Sequence, residues 1–138
     1  MFSRGKGDLR VKLRIAIADD HAGMLESLTS MLKREFEVVA AVREGAAALD
    51  AVRRFHPEVM VLDLAMSPMN GLDVMRSLRE SGAKTAVVIV TGYADPELAK
   101  AAIAAGAKGF VVKSRLAEEL IPAIRRASQQ GSASESGA

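Results

Sequence analysis

The chain has 138 residues, room for one domain with a real core and too few for two ordinary ones. It has no Cys, which excludes disulfides, thiolate catalysis and cysteine-held metals, and its 49% hydrophobic content excludes a disordered chain. The net charge is +2, but the first fourteen residues hold Arg4, Lys6, Arg10, Lys12 and Arg14 against Asp8 alone. The remainder, with 14 Lys/Arg and 16 Asp/Glu, is slightly acidic, which argues against a nucleic-acid surface on the fold itself. No apolar run approaches the roughly 18 residues of a membrane helix, and Met1–Gly7 lacks a signal peptide's apolar core. A soluble, cytoplasmic protein without a membrane partner is expected.

Residues 1–10 read as a flexible basic arm. Leu13–Ala18 (LRIAIA) is the first strand and ends on Asp19 and Asp20. A helix follows with Met24, Leu25, Leu28, Met31 and Leu32 on its apolar face. Phe36–Val42 is the second strand. Gly45 opens a helix that stops before His56-Pro57, because a residue preceding proline leaves the helical region.

Val59–Leu62 is a short continuous apolar run, the pattern of a strand buried on both faces, and it ends on Asp63. Ser67, Pro68, Asn70 and Gly71 mark a loop, after which Leu72, Met75 and Leu78 recur at helical spacing up to Ser81-Gly82. Ala86–Val90 is the fourth strand, ending on Thr91-Gly92. Asp95-Pro96 has the form of an N-cap followed by proline at the first helical position, and that helix stops at Gly106. Lys108–Val112 is the fifth strand and ends on Lys113. Leu116–Ala127 is the last helix. Its interior Pro122, at a cost of about 3 kcal/mol, predicts a distorted first half. Residues 130–138, rich in Ser and Gly, read as a disordered tail or the start of a linker.

Five βα units with apolar strands imply an α/β fold, a doubly wound (βα)5 domain with a five-stranded parallel sheet. The flavodoxin-like order 2-1-3-4-5 suits five strands and brings strands 1 and 3 together at the switch point, where ligands bind beyond the strands' carboxyl ends. Asp19, Asp20 and Asp63 then share one crevice. Three carboxylates repel one another unless a hard cation sits among them, and Mg²⁺ takes protein oxygens together with water and phosphate. Thr91 and Lys113 add a hydroxyl and an ammonium from the neighbouring strand ends. Singly, Asp20 or Asp63 could be a helix cap, Thr91 a loop hydroxyl and Lys113 a surface lysine. Together they have the parts of a phosphoryl-transfer site.

Four motifs make the sequence recognisable: IADDH at Ile17–His21, VLDLAMSPMNG at Val61–Gly71, VTG at Val90–Gly92 and GAKGFVVKS at Gly106–Ser114. Over residues 11–129 it resembles the receiver domain of two-component response regulators. Ser114 after the lysine looks more like the branch that usually carries a helix-turn-helix output domain. The resemblance implies that Asp63 is phosphorylated by a histidine kinase or histidine phosphotransfer protein. It implies Mg²⁺ held by Asp20, Asp63, the Ala65 backbone carbonyl and, through water, Asp19. Thr91 and Lys113 would bind phosphoryl oxygens, and Phe110 would be the switch aromatic. Receivers usually have proline four residues after the phosphorylated Asp; here that position is Ser67 and Pro68 follows it.

Three readings stand at this point: a phosphorylation-controlled switch, an interaction module indifferent to phosphate, and a Mg²⁺-dependent phosphohydrolase. The last lacks an evident general acid, since His21 reads as a solvated first-turn residue. The seven Met residues read mostly as core filler, Met66 and Met69 in the Asp63 loop being the two that could shield the site, and Tyr93 is expected to cover its approach. The output surface is expected on the fourth helix, fifth strand and fifth helix, with Lys100, Lys108, Glu118, Glu119 and Arg125 supplying its charges. It suits docking of a partner or homodimer formation on phosphorylation.

Overall fold

A computed structural model describes residues 12–137. The arm expected over 1–10 lies outside the described residues. In chain order come β1 (Arg14–Ala18), α1 (Ala22–Leu32), β2 (Glu37–Val42), α2 (Gly45–Phe55) and β3 (Val59–Asp63). They are followed by α3 (Gly71–Ser81), β4 (Ala86–Thr91), α4 (Pro96–Ala104), β5 (Gly109–Val112), a 3-10 turn at Lys113–Arg115 and α5 (Leu116–Gly137). Every strand pair is parallel, and the sheet order is β2-β1-β3-β4-β5, as the flavodoxin-like reading requires.

Alternation along the strands builds two core layers. Ile15 and Ile17 of β1, Val59 and Val61 of β3, and Val88 and Val90 of β4 pack with Leu28 and Leu32 of α1 and Leu120 and Ile124 of α5. The intervening residues, Ala16, Ala18, Met60, Leu62, Val87 and Ile89, pack with Ala48 and Val52 of α2, Val74 and Leu78 of α3, and Ala102 of α4. β3 and β4 are buried along their whole length, which is why their sequences are unbroken apolar runs. Burying one such Leu or Ile is worth about 1.5–3 kcal/mol, so the sheet ends are held by a rigid slab.

Local chemistry sets the helix ends. Asn70 caps α3 in a reciprocal capping box with Asp73, and Gly82 closes it in the left-handed region at φ 73°. Asp95 accepts the Glu97 N–H at 2.9 Å, with Pro96 as the first residue of α4. α5 is continuous across Pro122, where the proline predicts distortion. Pro122 is exposed, so the Glu118 carbonyl left without its helical donor can bond to water instead. The helical backbone also runs on to Gly137, through residues expected to form a disordered tail. Ser, Ala and Glu cost a helix little once it is nucleated, and no proline stops this one.

A cavity of about 680 Å³ opens at the amino end of β3 and β4, lined in part by Val52, His56, Pro57, Lys84, Thr85 and Ser128. It lies at the opposite edge of the sheet from the carboxylates.

Candidate functional site

The site is assembled by strand ends. β1 and β3 are paired with Ala18 opposite Leu62, so Asp19 and Asp63 follow side by side. Asp63 pairs with Val90 of β4, and Thr91 lies one residue further on. Thr91 in turn pairs with Val112 of β5, and Lys113 is next. One carboxylate oxygen from each of Asp19, Asp20 and Asp63 lies within 4.8 Å of the others. Lys113 Nζ stands 3.4 Å from Asp19 Oδ2 and 3.5 Å from Asp63 Oδ1. The five side chains expected at this sheet edge are thus placed there by register.

Backbone groups fix the acids. The Asp19 N–H donates to the Val42 carbonyl at 3.0 Å, and Asp19 Oδ1 accepts the His21 N–H at 2.9 Å. Asp63 Oδ1 accepts the Ala65 N–H at 3.3 Å. The Gly71 N–H donates to the Leu64 carbonyl at 2.9 Å, bringing α3 so close that a Cβ on Gly71 would stand 2.9 Å from the Asp63 carbonyl oxygen and the Leu64 Cα. Thr91 is 2% exposed, and its Oγ1 accepts the Tyr93 N–H at 3.4 Å.

Electrostatics favour a cation here. Burial pushes the Asp63 carboxyl above its ordinary range, and the Asp19 carboxylate adds to the rise. Lys113 and the Ala65 N–H pull it down, while Asp20 pushes up again. Asp19 Oδ2 is fully buried and makes no hydrogen bond, its one cationic neighbour among the described residues being the Lys113 ammonium at 3.4 Å that Asp63 shares. An all-carboxylate donor set with one ammonium shared between two of its acids fits a hard divalent cation such as Mg²⁺.

Several neighbours differ from expectation. His21 is the N-cap of α1, with Nδ1 accepting the Met24 N–H at 3.2 Å, rather than a first-turn residue. Met66 is 4% exposed and belongs to the core, because the loop turns it inward, and Met69 packs against α2 at Gly45. Tyr93 is 74% exposed, so its ring stands in solvent and leaves the approach uncovered. Arg125 does not serve the α4–β5–α5 face. It pairs with Glu35 at 2.6 Å and lies 5.1 Å over the Phe36 ring, toward α1. Phe110 is half-buried against the α2–α4 core layer. The Ser67–Pro68 bond of the Asp63 loop is cis. One residue at the rim has no counterpart in the sequence reading: Arg43, whose Nη2 donates to the Asp20 carbonyl at 3.2 Å. Its only signal is its place at the end of the second strand, beside β1 in the sheet order.

The fold and site define a doubly wound α/β domain that gathers three acids, a hydroxyl and an amine at its switch point. The response regulator receiver domain model matches residues 15–125, and the chain belongs to that family. It is 36% identical over 115 residues to the transcriptional regulatory protein DesR of Bacillus subtilis, covering 82% of this chain and 57% of DesR. It is 35% identical over 116 residues to the oxygen regulatory protein NreC of Staphylococcus epidermidis, covering 82% and 53%. The chain thus spans about half the length of these curated relatives. A two-component response regulator of the LuxR family from Aurantimonas sp. SI85-9A1 superposes with a TM-score of 0.82 at 28% identity, over 86% of each chain.

Proposed function

We propose that the domain is a phosphorylation-controlled switch in which Asp63 accepts a phosphoryl group from the histidine of a kinase or phosphotransfer protein. The observation that carries this is the buried Asp63 carboxylate within 4.8 Å of two further carboxylates, with one lysine reaching two of the three. Asp20, Asp63, the Ala65 carbonyl and, through water, Asp19 are the groups that would hold Mg²⁺. Bound there, the ion would offset the acids' mutual repulsion and charge on the incoming phosphoryl group.

Asp63 supplies the nucleophile: one carboxylate oxygen attacks phosphorus, and the donor's bond to phosphorus breaks with its electron pair. Lys113, shared between Asp19 and Asp63, is the cation available to the phosphoryl oxygens. Thr91 offers a hydroxyl. About two added negative charges then draw Thr91 toward Asp63, and Phe110 turns into the space behind β4. That rotation changes the α4–β5–α5 surface, where a partner or a second copy of the chain docks.

The phosphohydrolase reading finds no support at His21, whose imidazole is committed to capping α1. The test is incubation with a small phosphodonor, with and without Mg²⁺. A Mg²⁺-dependent, base-labile gain of one phosphoryl group on Asp63 supports the switch. No gain leaves an interaction module, and many turnovers of an organic phosphate make it a hydrolase.

A further inference from the structure

We infer that Arg43 sets the phosphodonor preference of this site through its charge; the inference rests on Asp63 being the phosphoacceptor. Two hydrogen bonds tie the end of β2 to the acidic turn. The Asp19 N–H donates to the Val42 carbonyl at 3.0 Å, and Arg43 Nη2 donates to the Asp20 carbonyl at 3.2 Å. The second holds a permanently charged guanidinium against the main chain of a residue whose own carboxylate belongs to the cluster. The carbonyl and carboxylate of one residue are about 3–5 Å apart, so this charge lies within about one Debye length (~8 Å at physiological salt) of the cluster.

Arg43 is also unspent. It is exposed, and no carboxylate among the described residues pairs with it, whereas Lys113 is already divided between Asp19 and Asp63. A donor entering this site brings negative oxygens toward three carboxylates and one lysine. A second fixed cation at the rim eases that approach in proportion to the donor's charge. Chemistry is untouched: an Asp63 oxygen bonds to phosphorus, and the leaving group departs with the old bond's electron pair. From acetyl phosphate the leaving group is acetate. From phosphoramidate it is ammonia, whose nitrogen is already protonated in the donor. Arg43 neither gains nor loses a proton.

The test compares wild type, Arg43→Gln and Arg43→Lys, with phosphorylated protein followed by intact mass at saturating Mg²⁺. Acetyl phosphate is a dianion at neutral pH and phosphoramidate a net monoanion. Arg43→Gln is expected to raise the half-saturating concentration about fivefold for the dianion and about twofold for the monoanion, with maximal rates unchanged. The logarithm of a through-space charge effect scales with donor charge. Arg43→Lys restores most of the loss, and salt at about 0.5 M erases the difference between donors. Mg²⁺ affinity without donor, read by calorimetry, stays equal or tightens.

Equal effects on both donors, no effect on either, or weaker Mg²⁺ binding in Arg43→Gln would overturn the inference, the last by showing that Arg43 merely braces the turn. Wild-type protein that takes phosphate from neither donor sinks the assignment of Asp63 and this inference with it. Wild type phosphorylated at the same half-saturation as Arg43→Gln sinks only the role of Arg43.

Discussion

Lys113 Nζ stands 3.5 Å from Asp63 Oδ1, and the same ammonium lies 3.4 Å from Asp19 Oδ2. One cation spread over two buried acids leaves the three-carboxylate cluster negative, so the pair is a receptor for further positive charge rather than a stabilising clasp. Lys113→Ala should therefore tighten Mg²⁺ binding, yet slow phosphorylation of Asp63 by at least about tenfold, because the phosphoryl oxygens lose their ammonium. Calorimetry and intact mass read the two effects separately. Both moving in one direction would contradict this division of labour.

Asp20 contributes an oxygen to the cluster from a half-buried position. Asp20→Asn should weaken Mg²⁺ binding by about 10–100-fold or more and abolish most phosphorylation. Phosphate uptake by the variant at the wild-type rate in Mg²⁺ would remove Asp20 from the ligand set.

The raised pKa of Asp63 has a stability consequence of definite sign. A carboxyl whose folded-state pKa lies above the ordinary 3.8 favours the fold in its protonated form, and that contribution is lost as pH rises through the raised value. At neutral pH the ionised Asp63 is then a net cost to the metal-free fold. Asp63→Asn should raise Tm in a chelator near pH 7, by about 3–6 °C for each kcal/mol gained. The gain should shrink as pH falls through the raised value toward 3.8 and be absent below it. Thermal scans across that range test it, and a gain independent of pH would point to a cause other than ionisation.

Gly71 is where α3 meets the end of β3. A Cβ there would sit 2.9 Å from backbone atoms of Asp63 and Leu64, which cannot swing aside as a side chain would. Gly71→Ala should cost about 1–3 kcal/mol in urea unfolding and slow phosphorylation by displacing Asp63. Gly92→Ala, with nothing within 4 Å of its Cβ, is the neutral control.

Phe110 is half-buried on β5, with core on one side and solvent on the other. Phe110→Ala should leave Asp63 phosphorylation intact and weaken the dimerisation or partner binding promoted by a stable phosphate mimic with Mg²⁺. A few kcal/mol of differential binding is enough to shift such a two-state population by orders of magnitude. Sedimentation with and without the mimic is the measurement. An unchanged response would send the signal out by another face, such as α1.

Much of this was legible because the signals are local. The runs VMVL and AVVIV have the pattern of strands buried on both sides, Asp63 and Thr91 follow from where those runs stop, and Lys113 from where the fifth strand stops. Contacts made across the fold were not legible. Glu35 and Arg125 meet from 90 residues apart, and nothing in either neighbourhood announces the pair. His21 was missed as a cap because imidazole is an uncommon one, and Met66 because a loop methionine turned inward reads like one turned outward. The end of α5 misled for a subtler reason: Ser-rich composition suggests a tail, but an established helix continues through it at little cost.

The 3-10 turn at Lys113–Arg115 runs straight into α5 with no intervening loop. From Leu116 to Ser128 that helix is about 18 Å long, and Ser128 lines the cavity at the far edge of the sheet. The domain therefore contains a stiff strut whose base is anchored at the charged edge and whose shaft spans the full depth of the slab. A tilt of about 5° at the base would swing the Ser128 end by roughly 1.5 Å. In that geometry a small movement beside the carboxylates would reach the opposite edge of the sheet enlarged.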